Sequence, residues 1–283
     1  MLGLLSYFSL LLSLIACDSP EPATTPSVCY LTATTEQVTR DTPPTLTLER
    51  SFTYTGNQLT AINERTASQQ ASYRVDYQDG KAVRAVGSPA NMVLEYDTKT
   101  GRVNRATMAQ GTQTQSVFTL THTASGRLSS LTETRQVPVT GSSVVSRAYS
   151  FSYTNAGNVS TERVTFTFQN GSTLTQETDY AVGAESAPYA TFPERALLTL
   201  VSLGQQFETR PGRLWNANVL TGYQVYTLNG TNRLLAESAT FTNQFDATGN
   251  LTALTQNTRS YTPAGSTFFT TKPTSHVLTH ECR

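Results

Sequence analysis

The sequence predicts a mainly β protein: a curved antiparallel meander or open barrel of serial β-hairpins, with one helix in the second half. Three observations lead there. A short amphipathic unit, clearest at Leu94–Ala106, recurs along most of the chain. Charged residues make up only 14% of the 283 residues while Thr, Ser, Gln and Asn abound, which suits strands with one face in water. The period breaks once, between about residues 179 and 222.

The N-terminus comes first in the chain. Met1–Ala16 (MLGLLSYFSLLLSLIA) is an apolar run ending on a small residue, the form of a secretory signal peptide. Its end, Leu14-Ile15-Ala16-Cys17, resembles the bacterial lipobox. That resemblance implies cleavage before Cys17 and diacylation of its thiol, and more than one acyl chain gives stable membrane attachment. Residues 1–16 are therefore expected to be a lipoprotein signal peptide and 17–27 a lipidated Cys with a flexible tether, since Asp18–Pro26 is rich in Pro, Ser and Thr. Residues 28–283 are expected to be a single β-hairpin-repeat domain. The expected location is the bacterial outer membrane, facing the periplasm or the surface, with the lipid bilayer as a partner through acylated Cys17. Two cysteines remain, Cys29 and Cys282, at the two ends of this domain. In an oxidising compartment they are expected to pair, the alternative being two separate buried thiols.

The hairpins follow. Phe52-x-Tyr54 with Gly56, Val75-x-Tyr77 with Gly80, Leu94-x-Tyr96 with Gly101, Phe118-x-Leu120 with Gly126, Phe151-x-Tyr153 with Gly157 and Phe166-x-Phe168 with Gly171 form the first six copies. Tyr226-x-Leu228 with Gly230 and Phe245 with Gly249 follow the break, and Tyr261 with Gly265 is a degenerate copy. Apolar-x-apolar puts two side chains on one face of a strand. Turns such as Gln-Asp-Gly and Gln-Asn-Gly supply the positive φ that tight hairpins need. On the return strand the apolar residues are often three apart (Leu59/Ile62, Val83/Val86, Leu128/Leu131, Leu251/Leu254). Strict alternation forbids that spacing, so each return strand is expected to carry a bulge.

The pattern of Tyr, three or four residues, then Gly-(Asn/Arg)-(Leu/Val), as at Tyr96–Val103 and Tyr153–Val159, resembles YD/RHS-type repeats. The whole layout of lipobox, short tether, Cys29-Tyr30-Leu31, serial hairpins, helical interruption and terminal Cys resembles a family of Gram-negative envelope lipoproteins of unknown function. That resemblance implies a porin-like β fold.

In the interruption, Asp179–Tyr189 reads as a loop. Pro193–Glu208 reads as a helix opened by Pro193, with Glu194 in its first turn and one face of Ala196, Leu200, Leu203 and Phe207, with Leu197 and Val201 beside them. This helical insertion, at about residues 190–210, is expected to cover an opening of the sheet or to lie in its concavity. Tyr189, Trp215 and Tyr223 flank it and are candidate ligand-binding aromatics, suited to stacking on a glycan.

Composition also limits function. Formal net charge is zero and no basic stripe is visible, so nucleic acid is not an expected partner. No P-loop, dinucleotide fingerprint, HExxH or nucleophile elbow is present. His122 lies at a hairpin turn and is expected to be solvated. His276 and His280 share one strand face but lack an identifiable third ligand, so neither a metal nor a cofactor is expected. The expected function is a non-catalytic, membrane-anchored envelope lipoprotein that binds a glycan or envelope protein or has a structural role. The alternative is a carrier or sensor of an apolar ligand held in an open-barrel cavity, and a hydrolase comes third.

Overall fold

The structure is a computed structural model that describes residues 29–136 and 143–282. The expected signal peptide, lipidated Cys17 and tether lie outside the described residues. Sixteen strands follow one another: β1 (Cys29–Val38), β2 (Thr45–Thr55), β3 (Gln58–Arg65), β4 (Gln70–Gln78), β5 (Lys81–Ser88), β6 (Asn91–Tyr96), β7 (Val103–Gln110) and β8 (Gln113–His122) form the first half. β9 (Leu128–Arg135), β10 (Val144–Tyr153), β11 (Val159–Phe168), β12 (Thr173–Ser186), β13 (Asn218–Asn229), β14 (Asn232–Phe245), β15 (Leu251–Tyr261) and β16 (Phe269–Cys282) form the second. Each pairs antiparallel with its sequence neighbours, and β1 pairs with β16 to close the barrel. The expected open barrel or meander is thus a closed one. Cys29 lies opposite Cys282 in the closing register and the two are disulfide-bonded.

Because the strands run up and down, one rim holds the start of β1, the end of β16, the disulfide and the β2–β3, β4–β5, β6–β7, β8–β9, β10–β11 and β14–β15 turns. We call this the terminal rim. The copies containing Gly171, Gly230 and Gly265 turn at the opposite rim, so the sequence repeat merges two kinds of turn.

The bulges are real and regular. Tyr54 pairs with Leu59 and Thr53 with Ala61, leaving Thr60 as the extra residue. Tyr96 pairs with Val103 and Glu95 with Arg105, leaving Asn104. The same shift recurs at Ser129, Ser160 and Thr252. It explains why inward residues fall three apart after a turn, as Leu59/Ile62 and Leu128/Leu131 do. At Val83/Val86 the expectation misplaces the face. Tyr77 pairs with Ala82, so Val83 is the extra residue and Ala82 and Ala85 point inward.

A hydrogen-bond ladder ties consecutive hairpins together. Tyr54 Oη donates to the Leu31 carbonyl (2.9 Å), Tyr77 to Leu59 (2.9 Å), Tyr96 to Ala82 (2.6 Å) and Tyr153 to Leu128 (2.8 Å). Each tyrosine is the last inward residue before its turn. In the last three cases the acceptor is the first inward residue after the previous turn.

The chain between β12 and β13 enters the lumen from the terminal rim. Its helix α1 (Arg195–Gly204) is shorter than the expected Pro193–Glu208 and lacks a side-chain cap. Glu194 is the cap residue rather than a first-turn acid, and Phe207 lies beyond the helix. Leu197 through Leu203 are all buried, where a single apolar face was expected. The physical reason is enclosure: α1 packs against inward residues from several sides of the wall, including Ile62, Tyr73, Met108 and Phe118. A short 3-10 helix (Pro211–Trp215) then returns toward the terminal rim.

The outward face is polar. Thr, Ser and Asn alternate there with cross-strand ion pairs such as Arg65–Glu49, Arg84–Asp76 and Arg105–Glu95. The exposed large hydrophobics among the described residues are Val93, Phe268, Phe269 and Val277. A barrel wall in lipid requires a continuous outward apolar band; the outward face of this wall is polar, and its inward face carries most of the buried apolar residues together with buried ion pairs.

Candidate binding site at the terminal rim

The turns of the terminal rim and the first turn of α1 enclose a bowl of about 470 Å³. The residues after the turn glycines build its wall. Arg102 reaches from the β6–β7 turn across Gly126, where a Cβ would fall 2.8 Å from its Nη2. Arg102 Nη1 donates to the Thr123 carbonyl at 3.3 Å. Arg127 likewise lies over Gly157, where a Cβ would fall 2.6 Å from its Nη2, and stacks on the Tyr153 ring at 5.5 Å. These two glycines also hold φ of 89° and 91°, a conformation that L side chains rarely adopt. Arg195, the first residue of α1, donates to the Ala190 carbonyl and lies over Trp215 at 5.2 Å.

His122 also lines the bowl. By register it occupies the position held by Tyr54, Tyr77, Tyr96 and Tyr153 in other hairpins. It is half-buried rather than solvated, because it ends β8 facing inward, and burial with Arg102 nearby pushes its pKa down. Glu194 is the carboxylate of the bowl, and burial pushes its pKa up. The uncapped first turn of α1 adds partial positive charge at the same place.

Beneath the bowl, buried ion pairs hold the insertion. Glu64 on β3 accepts from Arg50 (2.8 Å) and from Ser202 of α1 (2.6 Å). Glu133 on β9 accepts from Ser116, Arg135 and Arg147. Arg147 also donates to the Leu203 carbonyl at 2.7 Å, placing a cation at the helix C-terminus. Glu162 accepts from the Gly212 amide (2.6 Å) and Tyr180 (3.0 Å), and burial pushes its carboxyl up to about 8. Gly212 is required there, since a Cβ would fall 2.5 Å from Glu162 Oε2.

The three flanking aromatics are not brought together. Trp215 forms part of the bowl wall, mostly buried, with Nε1 donating to Thr199 Oγ1 (3.0 Å). Tyr189 lines a separate interior cavity of about 80 Å³ beside Glu36, Arg213 and His276. Tyr223 packs in a small cluster with Val225 and Ala239 and donates to Glu237 at 2.7 Å. The interior cavity is smaller than the roughly 300 Å³ at which small-molecule pockets begin, and its lining combines apolar residues such as Leu214, Val219 and Leu251 with Glu36, Glu208, Arg213 and His276. His276 and His280 do share the inward face of β16. His276 sits 3.5 Å from Glu36. Burial pushes the Glu36 carboxyl up, but the hydrogen bond and charge of His276, with Arg213 and Arg50, hold it well below the usual range. Among the described residues no group of three or more His, Cys, Asp or Glu is placed to hold a metal ion.

Arg102, Arg127 and Arg195 escaped the sequence reading, although the signal for two of them was present. The repeat motif allows Asn or Arg after the turn glycine, and the two arginines of the bowl occupy that position. Asn158 occupies it in the next hairpin and accepts from the Ala217 and Asn218 amides, clamping the returning insertion.

A solved structure shares this fold. The chain is similar to a porin-like protein from Bacteroides uniformis ATCC 8492, 14% identical, with a TM-score of 0.56 over 88% of this chain and 96% of that one. A porin-like protein from Bacteroides vulgatus ATCC 8482 is 12% identical over 89% and 98% of the two chains, with a TM-score of 0.38. No family model matches the chain, and no curated protein does. The first likeness bears out the porin-like fold.

Proposed function

We propose that the chain is a non-catalytic, lipid-anchored envelope protein whose plugged barrel is a rigid scaffold presenting the terminal-rim bowl to a partner. The observation that carries this reading is the buried helix α1 inside the barrel. A channel needs an open polar lumen in an apolar wall; here α1 lies in the lumen and the outer face of the wall is polar. A cavity of about 390 Å³ remains between β11–β15 and Thr209–Arg210 toward the opposite rim, but the larger bowl of about 470 Å³ lies at the terminal rim, where loops held by a rigid frame are the usual place for recognition. The lipobox-like Leu14–Cys17 supports an anchor, and the Cys29–Cys282 disulfide fits an oxidising compartment. Cys29 starts β1 at the terminal rim, so a tether from Cys17 joins the domain at the end that carries the bowl.

Metabolic labelling tests the anchor. Labelled palmitate is expected to enter the wild type and not Cys17→Ala, and equal labelling would overturn it. The bowl has its own reporter, because Trp215 is the single tryptophan of the chain. Partner binding is expected to change its emission.

A further inference from the structure

The arginines of this protein divide sharply. Of the 16 described arginines, 12 stand within 4.0 Å of a carboxylate, both on the wall and in the lumen. The four without such an ion pair among the described residues are Arg102, Arg127, Arg195 and Arg259. Arg259 lies over the Phe269 ring on the outer wall near the opposite rim. The other three converge on the bowl.

Their backbone and ring contacts orient them without neutralising them. Arg127 and Arg195 lie on the faces of Tyr153 and Trp215, and Arg102 is held by the Thr123 carbonyl. Guanidinium groups keep their charge and offer a planar fork of donors that matches an oxyanion. Glu194 is the acid present, set against three guanidiniums and the open N-terminus of α1.

We propose that the bowl binds the oxyanion of a small phosphorylated ligand, with Arg102, Arg127 and Arg195 as its charge partners. This rests on the reading of the rim as the binding end. A phosphate monoester can come from a free sugar or polyol phosphate, and a phosphodiester from the headgroup of a phospholipid. Both present the same acceptor oxygens to the three forks, and about 470 Å³ accommodates the phosphate with its first sugar or glycerol unit.

The test uses the full chain in a neutral detergent, with Trp215 emission as readout and glycerol 3-phosphate as probe. Saturable binding is expected, weakening as chloride rises. Arg102→Gln and Arg127→Gln are each expected to weaken Kd at least about tenfold, as loss of a charge-assisted hydrogen bond should. Arg259→Gln is expected to leave Kd unchanged. Melting curves accompany each variant; where a bowl variant fails to fold, the chloride dependence of the wild type decides. Flotation with phosphatidylglycerol against phosphatidylcholine vesicles, using Cys17→Ala to remove the anchor, separates the sources. Arginine-dependent flotation assigns the headgroup, and soluble binding without flotation assigns a free phosphate. Saturation by an uncharged sugar with no response to glycerol 3-phosphate would overturn the oxyanion while sparing the binding-module reading. Absence of any saturable phosphate response, or equal affinity in the arginine variants, would overturn the proposal.

Discussion

At the residue scale, two side chains show how small groups decide large matters. The Tyr153 hydroxyl joins its hairpin to the Leu128 carbonyl of the one before. Removing it leaves that carbonyl without its donor, at a cost of about 1 kcal/mol. Tyr153→Phe is therefore expected to lower the urea midpoint. Tyr226→Phe, whose hydroxyl meets only the exposed Gln224 side chain, is expected to leave it unchanged. Glu162 acts through its proton. Its carboxyl is raised by burial to about 8 from an unfolded value of 4.5. The folded state therefore holds a proton that the unfolded chain releases between those values. The group does not penalise folding below the unfolded pKa, and stability is lost as pH rises through the folded one, by at most roughly 4 to 5 kcal/mol. Glu162→Gln is expected to flatten this decline, read as urea midpoints compared at about pH 5 and about pH 9. Glu36 works in the opposite sense. Its depressed carboxyl stabilises above the ordinary carboxylate range and is lost on acidification below it.

At the scale of elements, the hairpin and the insertion are held by different physics. A hairpin joins its neighbour through backbone ladders, one bulge and one tyrosine, so the repeat was legible in order, turn glycines and bulge spacing. The insertion is held by buried charge. Glu133→Ala strands Arg135 and Arg147 in the lumen and is expected to cost about 3 to 5 kcal/mol. Arg105→Ala breaks an exposed pair on the wall and is expected to cost less than about 1 kcal/mol. Chemical denaturation of both variants checks the contrast. The helix was visible from Leu197, Leu200, Val201 and Leu203, but its surroundings were not. An apolar stripe shows that a helix buries a face; it does not show that walls surround it. The pairing of Glu64 with Ser202, 138 residues away, has no sequence signal at all.

At the scale of the whole molecule, closure is the deciding event. β1 and β16 meet at a sequence separation of 253 residues, sealed by Cys29–Cys282. In the chain-entropy model a bridge across so long a loop contributes about 5 kcal/mol. Reduction, or a Cys29→Ser/Cys282→Ser double variant, is expected to lower the melting temperature while leaving the far-ultraviolet spectrum of the folded state intact, because the strand pairs remain.

The sequence by itself determined a β-hairpin array in chain order, its bulged return strands, a single helical interruption and the two cysteines that bond. These are local patterns, written in alternation, turn chemistry and composition. Only the tertiary structure decided that the array closes, that the interruption enters the lumen, and that Arg102, Arg127 and Arg195 stand together without a carboxylate ion pair among the described residues. Those outcomes rest on contacts between residues far apart in the chain. Strand pairing across the closure, and the burial of charge it enforces, leave no periodic trace for a linear reading to find.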